Sequence, residues 1–138
     1  TSKRWTMNCL DSAFLIDFLD PEAANHEQAV AWMESNRDEE LAVPAICAFE
    51  VVRGTGRAGD DRFEQAVGFL RTLSVLDLSL STALAAGDLD SRLHDNGTPL
   101  SARDTLVAAP TLEHSGRLVT RDRDFDVVDD LDVVFYDE

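Results

Sequence analysis

The sequence predicts an α/β fold built on a mostly parallel sheet. Short apolar runs alternate with longer segments of helical periodicity, and strands separated by helices require parallel crossovers with helices on both faces. The 138 residues, 44% of them hydrophobic, suffice for one domain with a real core. No internal repeat or low-complexity stretch divides them.

Taken in order, "MNCL" (7–10) reads as a first strand, followed by a helix with Phe14, Leu15, Phe18 and Leu19 on one face. Pro21 is expected to begin a second helix that carries Ala24, Val30, Ala31 and Met33 and ends near Asn36. "LAVP" is a second strand, and "AICAFEVVRG" a largely buried helix closed by Gly54. After the turn-rich "TGRAGD", residues 61–72 resume helical spacing through Phe63, Val67 and Leu70. "SVLDL" is a third strand, residues 80–95 a helix, "SARDTLVAAPTLEHSG" a helix ending at Gly116, "RLVT" a fourth strand and "DVVFY" a fifth. Pro110 lies inside the last of these helices, where a missing N–H costs about 3 kcal/mol, so a kink or early break is expected there.

Regular patterning begins at Met7. Residues 1–6 are therefore read as an N-terminal extension or cloning remnant, and residues 7–138 as the single domain. No apolar run reaches the roughly 18 residues of a membrane span and "TSKRWT" lacks a signal-peptide core, which points to a cytoplasmic protein without a membrane partner. Cys9 and Cys47 sit in apolar segments without CxxC spacing, as small buried thiols of an intracellular protein do.

Charge is the most unusual property: 27 acidic against 12 basic residues, a formal −15, with Lys3 the only lysine. The acids are spread along the whole chain, unlike a disordered acidic tail, and match the solvated surface of a halophilic protein. Acidity in general is thus background, and a carboxylate matters where solvation does not account for it.

"LVTRDRDFDVVDD" (118–130) holds five aspartates. Asp122, Asp124 and Asp126 occupy the first, third and fifth positions of a calcium loop, but Val127 stands where glycine must turn and Val133 where a bidentate glutamate is needed, so that reading fails. Asp126, Asp129 and Asp130 are read as solvating the surface. Asp122 follows the fourth strand and Asp11 ends the first, so both emerge on the rim where open α/β sheets bind ligands; each also suits a helix N-cap. Glu50 lies between Phe49 and Val51, where an ionised carboxylate needs compensation from Arg53 or from a metal. Asp104, three residues after Ser101, fits a capping box, yet the apolar "TLVAA" behind it turns the helix base toward the same rim. Four such acids in one pocket repel by several kcal/mol, and a divalent cation relieves that repulsion.

These segments resemble the PIN-domain ribonucleases of the VapC toxin type. The likeness rests on "LDSAFLIDFL" (10–19), "PAICAFEVVRG" (44–54), "LSARDTLVAA" (100–109) and "LVTRDRDF" (118–125), in the family's order and spacing and across essentially the whole domain. It implies a three-layer α/β/α sandwich with about five strands, and a Mg²⁺- or Mn²⁺-dependent endoribonuclease. Asp11, Glu50, Asp104 and Asp122 are its metal-binding catalytic acids, Asp124 is an auxiliary ligand, and Ser12 is the hydroxyl that follows the first acid. An all-carboxylate site suits magnesium. The resemblance also implies an RNA substrate, a cognate antitoxin whose peptide offers a basic side chain to the acids, and a homodimer. Arg53, Arg103, Arg121 and Arg123, all within three residues of a proposed ligand, are candidates for binding phosphate, with pairing to neighbouring acids the alternative. His26, His94 and His114 fall outside the motifs.

Three other readings compete. A phosphoacceptor receiver domain needs a lysine near the end of the sheet, and the chain has only Lys3. A non-catalytic protein-binding domain on the same fold would bind no metal and cleave no RNA. A housekeeping RNA-processing nuclease would share the toxin's site.

Overall fold

Five short strands pair in parallel: β1 (Asn8–Leu10), β2 (Leu41–Pro44), β3 (Ser74–Leu76), β4 (Arg117–Thr120) and β5 (Asp132–Phe135), in the order β3-β2-β1-β4-β5. This computed structural model describes residues 7–138; the extension expected at residues 1–6 lies outside the described residues. Every residue of β1 is buried, as its unbroken central position requires. Its register sets Cys9 opposite Ala42 on one side and Leu118 on the other.

Among the described residues six helices make the connections: α1 (Ser12–Leu19), α2 (His26–Asn36), α3 (Ala45–Gly56), α4 (Asp60–Leu70), α5 (Leu80–Asp95) and α6 (Ala102–Glu113). From β1 the chain steps outward to β2 and β3, then returns past β1 to β4. The order therefore reverses between β1 and β4, and the crevice beyond their carboxyl ends is the natural ligand site of such a sheet. Phe14 anchors α1 in the core, with ring centroids 5.3 Å from Trp32 and 4.9 Å from Tyr136. Burying one such ring contributes about 1.5–3 kcal/mol.

The structure corrects four local expectations. Pro21 does not begin a helix: the Asp20 carboxylate accepts the Glu22 N–H at 2.9 Å and its carbonyl accepts the Ala23 N–H at 3.0 Å, which holds a turn until His26. Gly54 does not close α3, which runs on to Gly56, and the positive φ of 113° that the next turn needs is taken by Gly59. The third strand stops at Leu76 because Ser79 caps α5, its hydroxyl accepting the Thr82 N–H. Pro110 neither breaks nor ends α6, which continues to Glu113. Its ring is buried in the last turn and a single backbone bond is forgone, while Asp104 stays fixed in the first turn by Ser101.

Candidate active site

Asp11 leaves β1 and caps α1, its Oδ1 accepting the Ser12 N–H at 2.8 Å. Its own N–H donates to the Val119 carbonyl at 3.1 Å, which ties it to β4. Its Oδ2 accepts the Thr120 hydroxyl at 2.7 Å, and that hydroxyl accepts the Asp122 N–H at 3.1 Å. Thr120, fully buried at the end of β4, thus holds two acids that are far apart in sequence. The sequence reading missed it. The available signal was a hydroxyl residue closing a strand two positions before an acid.

Asp122 caps the short 3-10 turn Arg123–Val127 by accepting the Asp124 N–H at 3.0 Å. Asp104 enters from the first turn of α6, where the Ser101 hydroxyl accepts its N–H at 3.1 Å. Glu50 enters from α3, beside buried Val51 and one turn after buried Cys47. An open cleft of about 630 Å³ is lined by nine of the ten side chains that the sequence singles out. Arg53 is the exception: its guanidinium lies 5.4 Å from the Phe49 ring centroid, outside the cleft wall.

The cation that compensates Glu50 is Arg103. Arg103 Nε donates to both Glu50 carboxylate oxygens at 3.1 Å, and its terminal nitrogens donate to Glu50 at 2.7 Å, Asp11 at 2.8 Å, Ser12 Oγ at 2.6 Å and Asp104 at 2.8 Å. Burial opposes ionisation of Glu50, but the Arg103 bonds outweigh it and leave its pKa below the usual glutamate value. Burial likewise opposes the charge on Arg103, and its carboxylate partners, Glu50 first, raise its pKa above normal. Cys47 donates weakly to Asp11 at 3.6 Å, and burial, then the Asp11 charge, push its thiol well above the ordinary value.

The remaining arginines divide. Arg121 lines the cleft with its Nε bonded to the buried Asp17 at 2.8 Å, while its terminal nitrogens make no hydrogen bond among the described residues. Arg123 also lines the cleft, but its guanidinium is engaged by Asp137 at 2.9 Å and lies 4.1 Å from the Phe135 ring centroid. None of the three histidines lines the cleft.

One carboxylate oxygen from each of Asp104, Asp122 and Asp124 lies within 4.8 Å of the others, an all-oxygen donor set that fits a hard divalent cation. Asp11 and Glu50 complete the acidic wall on the Arg103 side.

A family model described as the PIN domain matches residues 9–131. The chain belongs to the PIN-domain family. A VapC ribonuclease of Mycobacterium bovis is 35% identical over 109 residues, which cover 72% of this chain and 78% of the relative. Among solved structures, FitAcB from Neisseria gonorrhoeae superposes with a TM-score of 0.79 at 23% identity, over 94% of this chain and 98% of that one. VapBC2 from Rickettsia felis, bound to a DNA fragment from its promoter, gives 0.76 at 19% identity over 94% and 98%. These two likenesses show the fold, and its five-stranded parallel sheet with flanking helices is that of the PIN domain described above.

Proposed function

We propose that this PIN domain is a metal-dependent endoribonuclease and the toxin of a toxin-antitoxin pair. The observation that carries the reading is the convergence of five carboxylates, from four separate segments, on one cleft at the sheet's switch point. Kinship with a VapC ribonuclease supports RNA as the substrate.

Asp104, Asp122 and Asp124 would hold a Mg²⁺ or Mn²⁺ ion, and Asp11 and Glu50 line the same cleft. A divalent ion bound there supplies positive charge to a scissile phosphate and acidifies water. Asp122 would orient the attacking water, the Ser12 N–H and the Thr120 hydroxyl fix Asp11, and the terminal nitrogens of Arg121, without a hydrogen bond among the described residues, donate to a phosphate oxygen. The three arginines of the cleft together with a bound divalent ion would offset its five carboxylates, which lets a chain of −15 approach a polyanion there while high salt screens the rest.

Two protein partners accompany this reading. An apolar depression of about 180 Å³ lined by Ile16, Leu19 and Val51 supports capture of an antitoxin segment, as do solved neighbours that are toxin-antitoxin complexes. Leu80 and Leu84 of α5, 76% and 67% exposed, support pairing with a second copy. Among the described residues no helix is long and apolar enough to cross a membrane.

The test is cleavage of end-labelled RNA with Mg²⁺, Mn²⁺ or chelator. Cleavage is expected with metal and absent with chelator, and Asp104→Asn is expected to lower it at least about 100-fold. Metal-independent or absent cleavage would refute the ribonuclease. Co-purification of a small antitoxin, against none, separates a toxin from an RNA-processing nuclease.

A further inference from the structure

The acids of the cleft fall into two groups that share Asp104. In one, Asp104, Asp122 and Asp124 converge, and among the described residues Asp122 and Asp124 have no arginine partner while Asp104 has Arg103. In the other, Asp11, Glu50 and Asp104 surround the Arg103 guanidinium, which makes six hydrogen bonds to oxygen atoms of four residues. Asp11 is only 2% exposed, so its charge needs a neutralising partner whether or not a metal is bound.

We propose that Arg103 is the resident counter-cation of the Asp11–Glu50 half of the cleft: a divalent ion enters first among Asp104, Asp122 and Asp124, and reaches Asp11 and Glu50 only by displacing the guanidinium. The inference rests on the reading of the cleft as a divalent-metal site. Geometry makes the exchange feasible. Arg103 is the second residue of α6, so its backbone is held by a capped helix, while its side chain is 28% exposed along the cleft wall and has room to withdraw. Two positive groups cannot share one carboxylate cage at close range, and the occupied fraction of a competitor lowers the apparent affinity of the other by that fraction. Arg103 thereby sets the metal concentration at which the second half fills, and in its absence that half accepts an ion directly.

The experiment is calorimetric titration of the full chain with Mn²⁺ alone, for the native protein, Arg103→Gln and Arg103→Lys. Native protein is expected to bind one ion per chain with resolved affinity. Arg103→Gln is expected to bind a second ion, or to bind at least about tenfold tighter. Arg103→Lys keeps the charge but cannot span Glu50, Asp11 and Asp104 together, and is expected to fall between the two. Unchanged stoichiometry and affinity in both variants would overturn the proposal, as would two equal ions in the native chain. Thermal melts give a second readout: Arg103→Gln melts lower than native protein in chelator and gains more from Mn²⁺, whereas an arginine that only braces the fold gives equal gains. If Arg103→Gln does not fold in chelator, the Lys variant's titration decides alone. Tighter Mn²⁺ binding without RNA cleavage by any protein leaves this inference standing and removes the ribonuclease. Cleavage with unaltered metal binding does the reverse.

Discussion

Tyr136 donates its phenol proton to the Asp17 carboxylate across 119 residues of sequence, joining the chain's C-terminal end to α1. The same Asp17 oxygen accepts Arg121 Nε at 2.8 Å. Asp17 is buried, so its charge is sustained by these two donors. Asp17→Asn removes the charge and leaves Arg121 and Tyr136 short of an acceptor. Because Arg121 is partly exposed and screened, the expected loss is a discounted value of about 1–3 kcal/mol. Urea unfolding should show a lower midpoint with the slope unchanged; a midpoint equal to native would mean the carboxylate contributes nothing to stability.

The same contact makes stability depend on alkaline pH. Burial first, and then the Asp17 bond, raise the Tyr136 pKa above the phenol value of 10.0. The folded chain therefore keeps a proton that the unfolded chain releases, and stability falls as pH rises above about 10. Cys9, pushed up to about 11 by burial, and Cys47 act in the same direction from about pH 9. Tyr136→Phe isolates the phenol's share: the variant is less stable at pH 8, and its deficit should shrink between pH 10 and 11. A deficit constant over that range would show that the phenol does not titrate differently on folding.

What the sequence discloses and what it hides divide along physical lines. Alternating apolar runs specify strands and helices locally, which is why five strands were legible and why Asp11 and Asp122 could be placed at strand ends before any coordinates. Glu50 was legible because an acid between Phe49 and Val51 conflicts with its surroundings. Its partner was not: Arg53 is three residues away and Arg103 is 53, and the latter's approach depends on α6 returning across β1. Thr120 and Tyr136 were hidden for the same reason, since each acts on a residue of α1 or its cap only once β4 lies beside β1. Pro110 and Gly54 misled because packing overrides local propensity.

Gly116 is required for closeness rather than for a turn. A Cβ built there meets the Met7 carbonyl at 2.9 Å and Cys9 Sγ at 3.0 Å. That carbonyl accepts the Arg117 N–H at 2.9 Å, which sets the register of β4 against β1. Backbone cannot yield as a flexible side chain does, so Gly116→Ala is expected to cost about 1–3 kcal/mol. Because the clash lies at the opposite end of β4 from Thr120, stability should fall while residual cleavage per folded molecule stays near native. A variant as stable as the parent would show that the strands separate there without cost.

Arg121 is the cleft arginine best prepared for a phosphate. Asp17 takes its Nε, which fixes the plane of the guanidinium and leaves the terminal nitrogens without protein partners among the described residues. Removing it has two consequences of different kinds. Arg121→Ala strips one donor from buried Asp17, so the melting temperature should drop by a few degrees without loss of the fold, by roughly 1 kcal/mol. On the proposed role of Arg121 in phosphate binding it also removes that contact, so KM for RNA should rise while kcat changes less, and the slope of log affinity against log salt should fall by about 0.7 for a single-stranded substrate. Arg121→Lys keeps the charge but loses the fork that bridges Asp17 and phosphate; it should restore part of the salt slope and little of the melting temperature. Unaltered KM and salt slope in Arg121→Ala, together with the lower melting temperature, would confine Arg121 to bracing Asp17 and pass phosphate recognition to another cleft arginine.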